Sequence, residues 1–155
     1  MNIWLQLLIQ TVLSFAGTVG YSLCINIPRR ALIACGYTGA LGWIVYWILY
    51  NFTMMGHVLA NFIAAVAIGL ISQVLAKRKR MPVILFNIPG LIPLVPGATA
   101  YQAVREMVLG KFNVSLEIFI RVALVIGAIA VGYMVAQVLI DIEKRSRRWY
   151  TMRMR

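Results

Sequence analysis

Polar positions are sparse in this chain, and the charged ones fall in clusters. Residues 1–28 carry no Asp, Glu, Lys or Arg, and then Arg29 and Arg30 appear. Residues 31–76 are again uncharged, up to the run Lys77, Arg78, Lys79 and Arg80. A third uncharged run covers 81–104 and a fourth 122–140, after which a basic tail follows. About 20 apolar residues in a helix cross the hydrocarbon core of a bilayer. The 46-residue run from 31 to 76 is therefore expected to fold as two helices, divided at its one polar patch, Asn51 to His57. The pattern predicts an all-α, polytopic membrane bundle of five transmembrane helices, over about 4–26, 31–50, 57–76, 82–104 and 117–140. Together they make a transmembrane domain over 1–143, with a basic cytoplasmic tail over 144–155.

The fourth segment is unlike the others. From Asn87 to Tyr101 it holds Pro89, Pro93 and Pro96 with Gly90 and Gly97. A proline inside a helix removes a backbone donor and clashes with the carbonyl four residues back. Lipid has no water to make good the loss, so irregular backbone at membrane depth persists only where protein packs on it or a polar cavity adjoins it. In a regular helix the three prolines would strand the carbonyls of Leu85, Pro89 and Ile92, leaving acceptors for an ammonium or a cation. A second half-helix beginning after Pro96 would present free N–H groups from Gly97 to Thr99, which attract a carboxylate. Asn87, Thr99 and Tyr101 add polar side chains. A span broken near its middle, at Pro93, is the expected place of a binding or conduction site. The bland alternative is a kinked packing helix whose freed groups are satisfied by its neighbours.

Composition supports the membrane reading. The chain is 62% hydrophobic and 12% charged with mean hydropathy +0.85, against roughly 25% charged residues in soluble domains. Net charge is +11, from 15 basic residues and the acids Glu106, Glu117, Asp141 and Glu143. In a soluble protein this balance would point to nucleic acid. Here the basic residues flank apolar segments, which is the pattern of topology. With five spans and the N-terminus outside, twelve of the fifteen basic residues face the cytoplasm, and Arg105, Lys111 and Arg121 do not. If the fourth segment did not cross, the tail would face outward, against the positive-inside rule. Met1 to Leu5 has no basic stretch of the kind that precedes a cleaved secretory signal, so the first apolar segment is expected to remain as a helix.

Other features refine the picture. Small residues recur at helix-packing spacing in four segments: Ala16 and Gly20; Gly36, Gly39 and Gly42; Ala65 and Gly69; and Ala128, Gly132 and Ala136. Trp43, Tyr46, Trp47 and Tyr50 read as an interfacial aromatic belt. Glu117 and Arg121, four apart, are spaced for a helix-surface ion pair. Glu106 is the candidate for coupling protons to transport. Arg30 is the candidate for receiving an anion at the cytoplasmic side, beside its role as a topology signal. His57 is expected to be a polar helix end, and Cys24 and Cys35 to pack as small hydrophobes. No metal-ligand spacing, cofactor motif, G-x-S-x-G, Walker loop or H-E-x-x-H occurs, so neither a cofactor nor an enzyme is expected.

Three blocks carry a family resemblance: Asn26-x-Pro28-x-Arg30-Ala31-Leu32 with Cys35, Gly39 and Gly42; the third segment ending near Gly69; and Ile92-Pro93-x-x-Pro96-Gly97-x-x-x-Tyr101. In these the chain resembles the small five-helix subunit of the threonine/serine exporter family. The resemblance implies export of threonine- or serine-like amino acids, or of related carboxylates, across the bacterial inner membrane. It implies as partner a larger subunit with a hydrophilic domain and a second five-helix bundle. The resemblance carries over the proline-glycine motif and Arg30, and with the polar residues of the break the expected site residues are Asn87, Pro93, Pro96, Gly97, Thr99, Tyr101 and Arg30. The alternative is a non-transporting scaffold or assembly subunit.

Overall fold

The computed structural model describes residues 3–53 and 55–153, with side chains up to Glu143. The described residues are helical throughout apart from short turns. The helices are α1 (Ile3–Cys24), α2 (Arg29–Phe52), α3 (His57–Lys79), α4 (Ile84–Leu91) with a 3-10 turn over Ile92–Leu94, α5 (Gly97–Val108) and α6 (Phe112–Arg153). Helices α1, α2, α3 and the Phe112–Glu143 part of α6 are each long and apolar enough to cross a membrane. The α4–α5 pair, bent by 53° at its break, makes a fifth if it is taken as one span. The side chains of the tail expected over 144–155 lie outside the described residues.

Three turns close by the same device. Asn26 and Arg80 adopt left-handed φ values of 61° and 51°, and Gly110 has φ 76°. Each lets the next residue reach back five positions: Ile27 N–H to the Ser22 carbonyl (3.0 Å), Met81 to Ala76 (3.1 Å) and Lys111 to Glu106 (2.9 Å). This is the Schellman closure, which satisfies end carbonyls that lipid cannot. It stops α1 at Cys24, short of the expected 26. After Gly110 no Pro or Gly interrupts the chain before Gly127, so α6 starts at Phe112, ahead of the expected 117.

The core is built on close approach of small residues. A Cβ on Gly69 would lie 2.5 Å from that of Ala136, and one on Gly132 would lie 2.5 Å from the Phe62 carbonyl oxygen. These pairs seat α6 on α3 with both helices running in the same direction. Because α4 leaves the end where α3 finishes and α6 starts at the other, the α4–α5 segment links the two ends of the bundle. Helix α2 packs on α1, α3 and α4. A Cβ on Gly90 of α4 would come within 3.0 Å of the Thr38 hydroxyl and 3.1 Å of Ile68. The stripes in α2, α3 and α6 therefore serve packing within this chain. The one in α1 does not: Ala16 is exposed and Gly20 faces open space, while Thr18 and Ser22 are fully buried instead.

The packing sets a test. Gly132→Leu forces the Phe62 backbone away and is expected to lower stability by about 1–3 kcal/mol, the usual cost of overpacking. Gly20→Leu is expected to leave thermal unfolding in detergent unchanged. Equal melting of the two variants would refute this account of the α3–α6 contact.

Candidate functional site

The break in the fourth segment shapes the site. Helix α4 starts at Ile84 and carries Pro89 inside it. At Ile92–Leu94 the backbone tightens to a 3-10 turn, passes through an extended Val95 and resumes as α5 at Gly97. None of the three carbonyls expected to be stranded is free. The Cys35 thiol donates to the Leu85 oxygen at 3.2 Å. The Ile92 N–H donates to Pro89, and the Val95 N–H to Ile92 at 3.2 Å. The tightened turn hands two of the freed carbonyls a donor three residues on and α2 supplies the third, so these oxygens do not form the open cation site that proline offsets alone predict.

The N–H side is different. Gly97 donates to Val95 at 2.8 Å and Ala100 to Pro96 at 2.9 Å. Ala98 and Thr99 have no backbone partner among the described residues, and no side chain caps the helix. These two residues line a cleft of about 600 Å³. Pro93, Pro96, Gly97 and Thr99 line one wall, Trp43 and Tyr46 of α2 another, His57 and Asn61 of α3 a third, and Arg121 and Val125 of α6 the last.

The other walls place polar groups that the sequence pattern did not single out for a site. The Tyr46 hydroxyl and His57 Nδ1 are 2.8 Å apart, and Tyr50 stacks on the His57 ring at 4.2 Å between centroids. Trp47 is 5% exposed. The expected aromatic belt is thus partly cleft wall and partly core. Asn61, 5% exposed, donates from Nδ2 to the His57 carbonyl at 2.7 Å. Arg121 makes no ion pair among the described residues, so the expected pairing with Glu117 does not form, and Arg121 is one of the residues lining the cleft. Only the fold shows that α2, α3 and α6 all face the break; an arginine within an otherwise apolar helix was the one available signal.

Four of the expected site residues therefore meet at the cleft, and the others lie elsewhere. Asn87 is 2% exposed in the bundle interior, where Nδ2 donates to the Tyr133 hydroxyl at 2.8 Å and Oδ1 has no partner among the described residues. Tyr101 is 70% exposed and away from the cleft. Ala103 is the residue α5 buries, and at 100° per residue it sits about 200° round the helix from Tyr101. Glu106 pairs with Lys111 at 3.3 Å, outside the cleft. Arg30 lines a second cavity, with Lys79, Arg80 and Met81, at the other end of the bundle.

A polytopic, all-helical membrane bundle with a broken helix beside a polar-edged cleft is the class that fold and site define. A family model described as "Threonine/Serine exporter, ThrE" matches residues 10–139. The chain belongs to that family, which is a transporter family. An uncharacterized protein of Haemophilus influenzae is 30% identical over 136 residues, covering 83% of this chain and 46% of the relative. The chain spans about half the length of that curated relative. No solved structure matches.

The interior polar pair gives a prediction. Asn87→Leu or Tyr133→Phe alone disrupts a buried hydrogen bond and is expected to cost about 1–3 kcal/mol. The double variant is expected to be less destabilised than the sum of the two, because no group is left unpaired. Strictly additive losses in denaturant or thermal unfolding would rule out the coupling.

Proposed function

We propose that this chain is the small, five-span half of a secondary exporter that moves threonine- or serine-like amino acids, or related small carboxylates, out of the cell across the bacterial inner membrane. The observation that carries the reading is the cleft at the α4–α5 break: free N–H groups, a cation and hydroxyls meet there on an apolar wall, in a chain of an exporter family. Its volume suits a small metabolite. The second half is a larger subunit with a hydrophilic domain and its own five-helix bundle. That the relative is about twice as long leaves room for such a half in one polypeptide.

In this reading α4 and α5 together form the fourth span, and the N-terminus faces outside. Arg30, Lys79 and Arg80 gather around one cavity at one end of the bundle, which suits a cytoplasmic end under the positive-inside rule. Substrate enters there and leaves from the cleft by alternating access.

Export from cells that co-express the larger subunit tests the function. Gly97 has open space where a Cβ would sit, so Gly97→Leu fills the cleft without disturbing the backbone. It is expected to cut threonine or succinate efflux at least about tenfold, a loss of ~1.4 kcal/mol or more, while Tyr101→Phe is expected to be silent. Normal efflux from well-expressed Gly97→Leu would defeat the cleft as the route. Efflux that survives deletion of this chain would make it a scaffold subunit. Topology is checked separately. In a chain with Cys24 and Cys35 replaced, a cysteine at Lys111 is expected to react with an impermeant maleimide from outside, and one at Arg80 only after permeabilisation. Labelling of both from the same side would leave four spans.

A further inference from the structure

The geometry points to Arg121 as the residue that anchors the substrate's carboxylate, a specificity determinant of the cleft; the inference rests on the transport reading for its substrate class. Arg121 is the one Lys or Arg among the residues lining the cleft, and no Asp or Glu lines it. No ion pair engages it among the described residues, although Glu117 stands one turn away on the same helix. A cation at a cleft without a counter-ion favours an anionic guest, and a guanidinium takes a carboxylate through two parallel hydrogen bonds. Ala98 and Thr99 line the same space, and their N–H groups, without a backbone partner among the described residues, carry the same sign of partial charge. The opposite requirement, an acceptor for an ammonium or hydroxyl, is met by Asn61. Its side chain is nearly buried, its Nδ2 is committed to His57, and its Oδ1 accepts no hydrogen bond among the described residues. Arg121 and the start of α5 thus take the carboxylate, and Asn61 takes the donor end of a small hydroxy- or amino acid.

Calorimetric titration of the full chain in lipid nanodiscs tests this directly. The probes are L-threonine, succinate and 1-aminopropan-2-ol, which keeps threonine's amine and hydroxyl but lacks the carboxylate. Wild type is expected to bind the two carboxylates and not the amine. Arg121→Gln is expected to weaken both carboxylates about tenfold to a hundredfold, the range for losing a charge-assisted contact, and Arg121→Lys less. Arg121 is exposed, and an unchanged circular dichroism spectrum checks that the variants fold. Equal affinity of Arg121→Gln and wild type, equal binding of the amine, or no binding of either carboxylate by wild type would each overturn the assignment. Carboxylate binding that depends on Arg121 in a chain that supports no efflux keeps the anchor and defeats the transport reading.

Discussion

Every backbone polar group that enters the bilayer must find a partner inside the protein, and in this fold that constraint falls hardest on three prolines. Pro89, Pro93 and Pro96 each remove a donor from one short stretch. Two of the freed carbonyls are satisfied locally, because the 3-10 turn at Ile92–Leu94 shortens the hydrogen-bond reach from four residues to three. The third, on Leu85, is satisfied from another helix by the Cys35 thiol. The Thr38 hydroxyl lies 2.6 Å from its own helix's Cys35 carbonyl and 3.4 Å from the Phe86 carbonyl.

That dependence explains why α2 and α4 approach so closely. A thiol and a hydroxyl are short, so they reach α4 only if the helices nearly touch. Gly90 supplies the room on α4, and Ala31, Ala34 and Cys35 pack with Phe86 in one buried cluster. The α3–α6 contact is a separate solution to a similar problem. There Gly69 and Gly132 let two long helices meet where hydrophobic driving force is absent, because lipid tails are as apolar as the side chains. The broken segment is held by α2 on one side and by this rigid pair on the other. Leu94, at the end of the 3-10 turn, joins Ala64, Ala65, Ile68 and Ile129 in the second cluster.

Charge-free runs made the long helices legible in the sequence, because in a membrane the position of charge is itself the boundary signal. Pro and Gly spacing likewise marked where the fourth segment loses regularity. What the sequence could not convey was which partner meets which freed group. Cys35 and Leu85 are 50 residues apart, and nothing in local spacing pairs a lone cysteine with a carbonyl. The four-residue interval between Glu117 and Arg121 is equally compatible with an ion pair and with an arginine turned to a neighbour, and helix rotation decides between them. Tyr101 shows the same limit: it belongs to a motif that carries the family resemblance, yet the face of α5 that packs is set by Ala103 and α6. Trp43, Tyr46, His57 and Asn61 join the site only because α2 ends and α3 begins beside the break.

The way the break is repaired also bears on what it can bind. A broken membrane helix offers carbonyls on one side and N–H groups on the other, and by itself it is neutral between cation and anion. Here the carbonyls of Leu85, Pro89 and Ile92 are met by protein donors, and the N–H groups of Ala98 and Thr99 have no backbone partner among the described residues. The side chains lean the same way, with Arg121 at the cleft and no acid lining it. The cavity at the opposite end is bordered by Arg30, Lys79 and Arg80, again with no acid among its lining residues. A guest with a carboxylate therefore meets a favourable field at both ends of the bundle, whereas a simple cation meets Arg121 at one end and three basic residues at the other. Glu106, the acid nearest the break in sequence, is held by Lys111 outside this space and does not alter the balance.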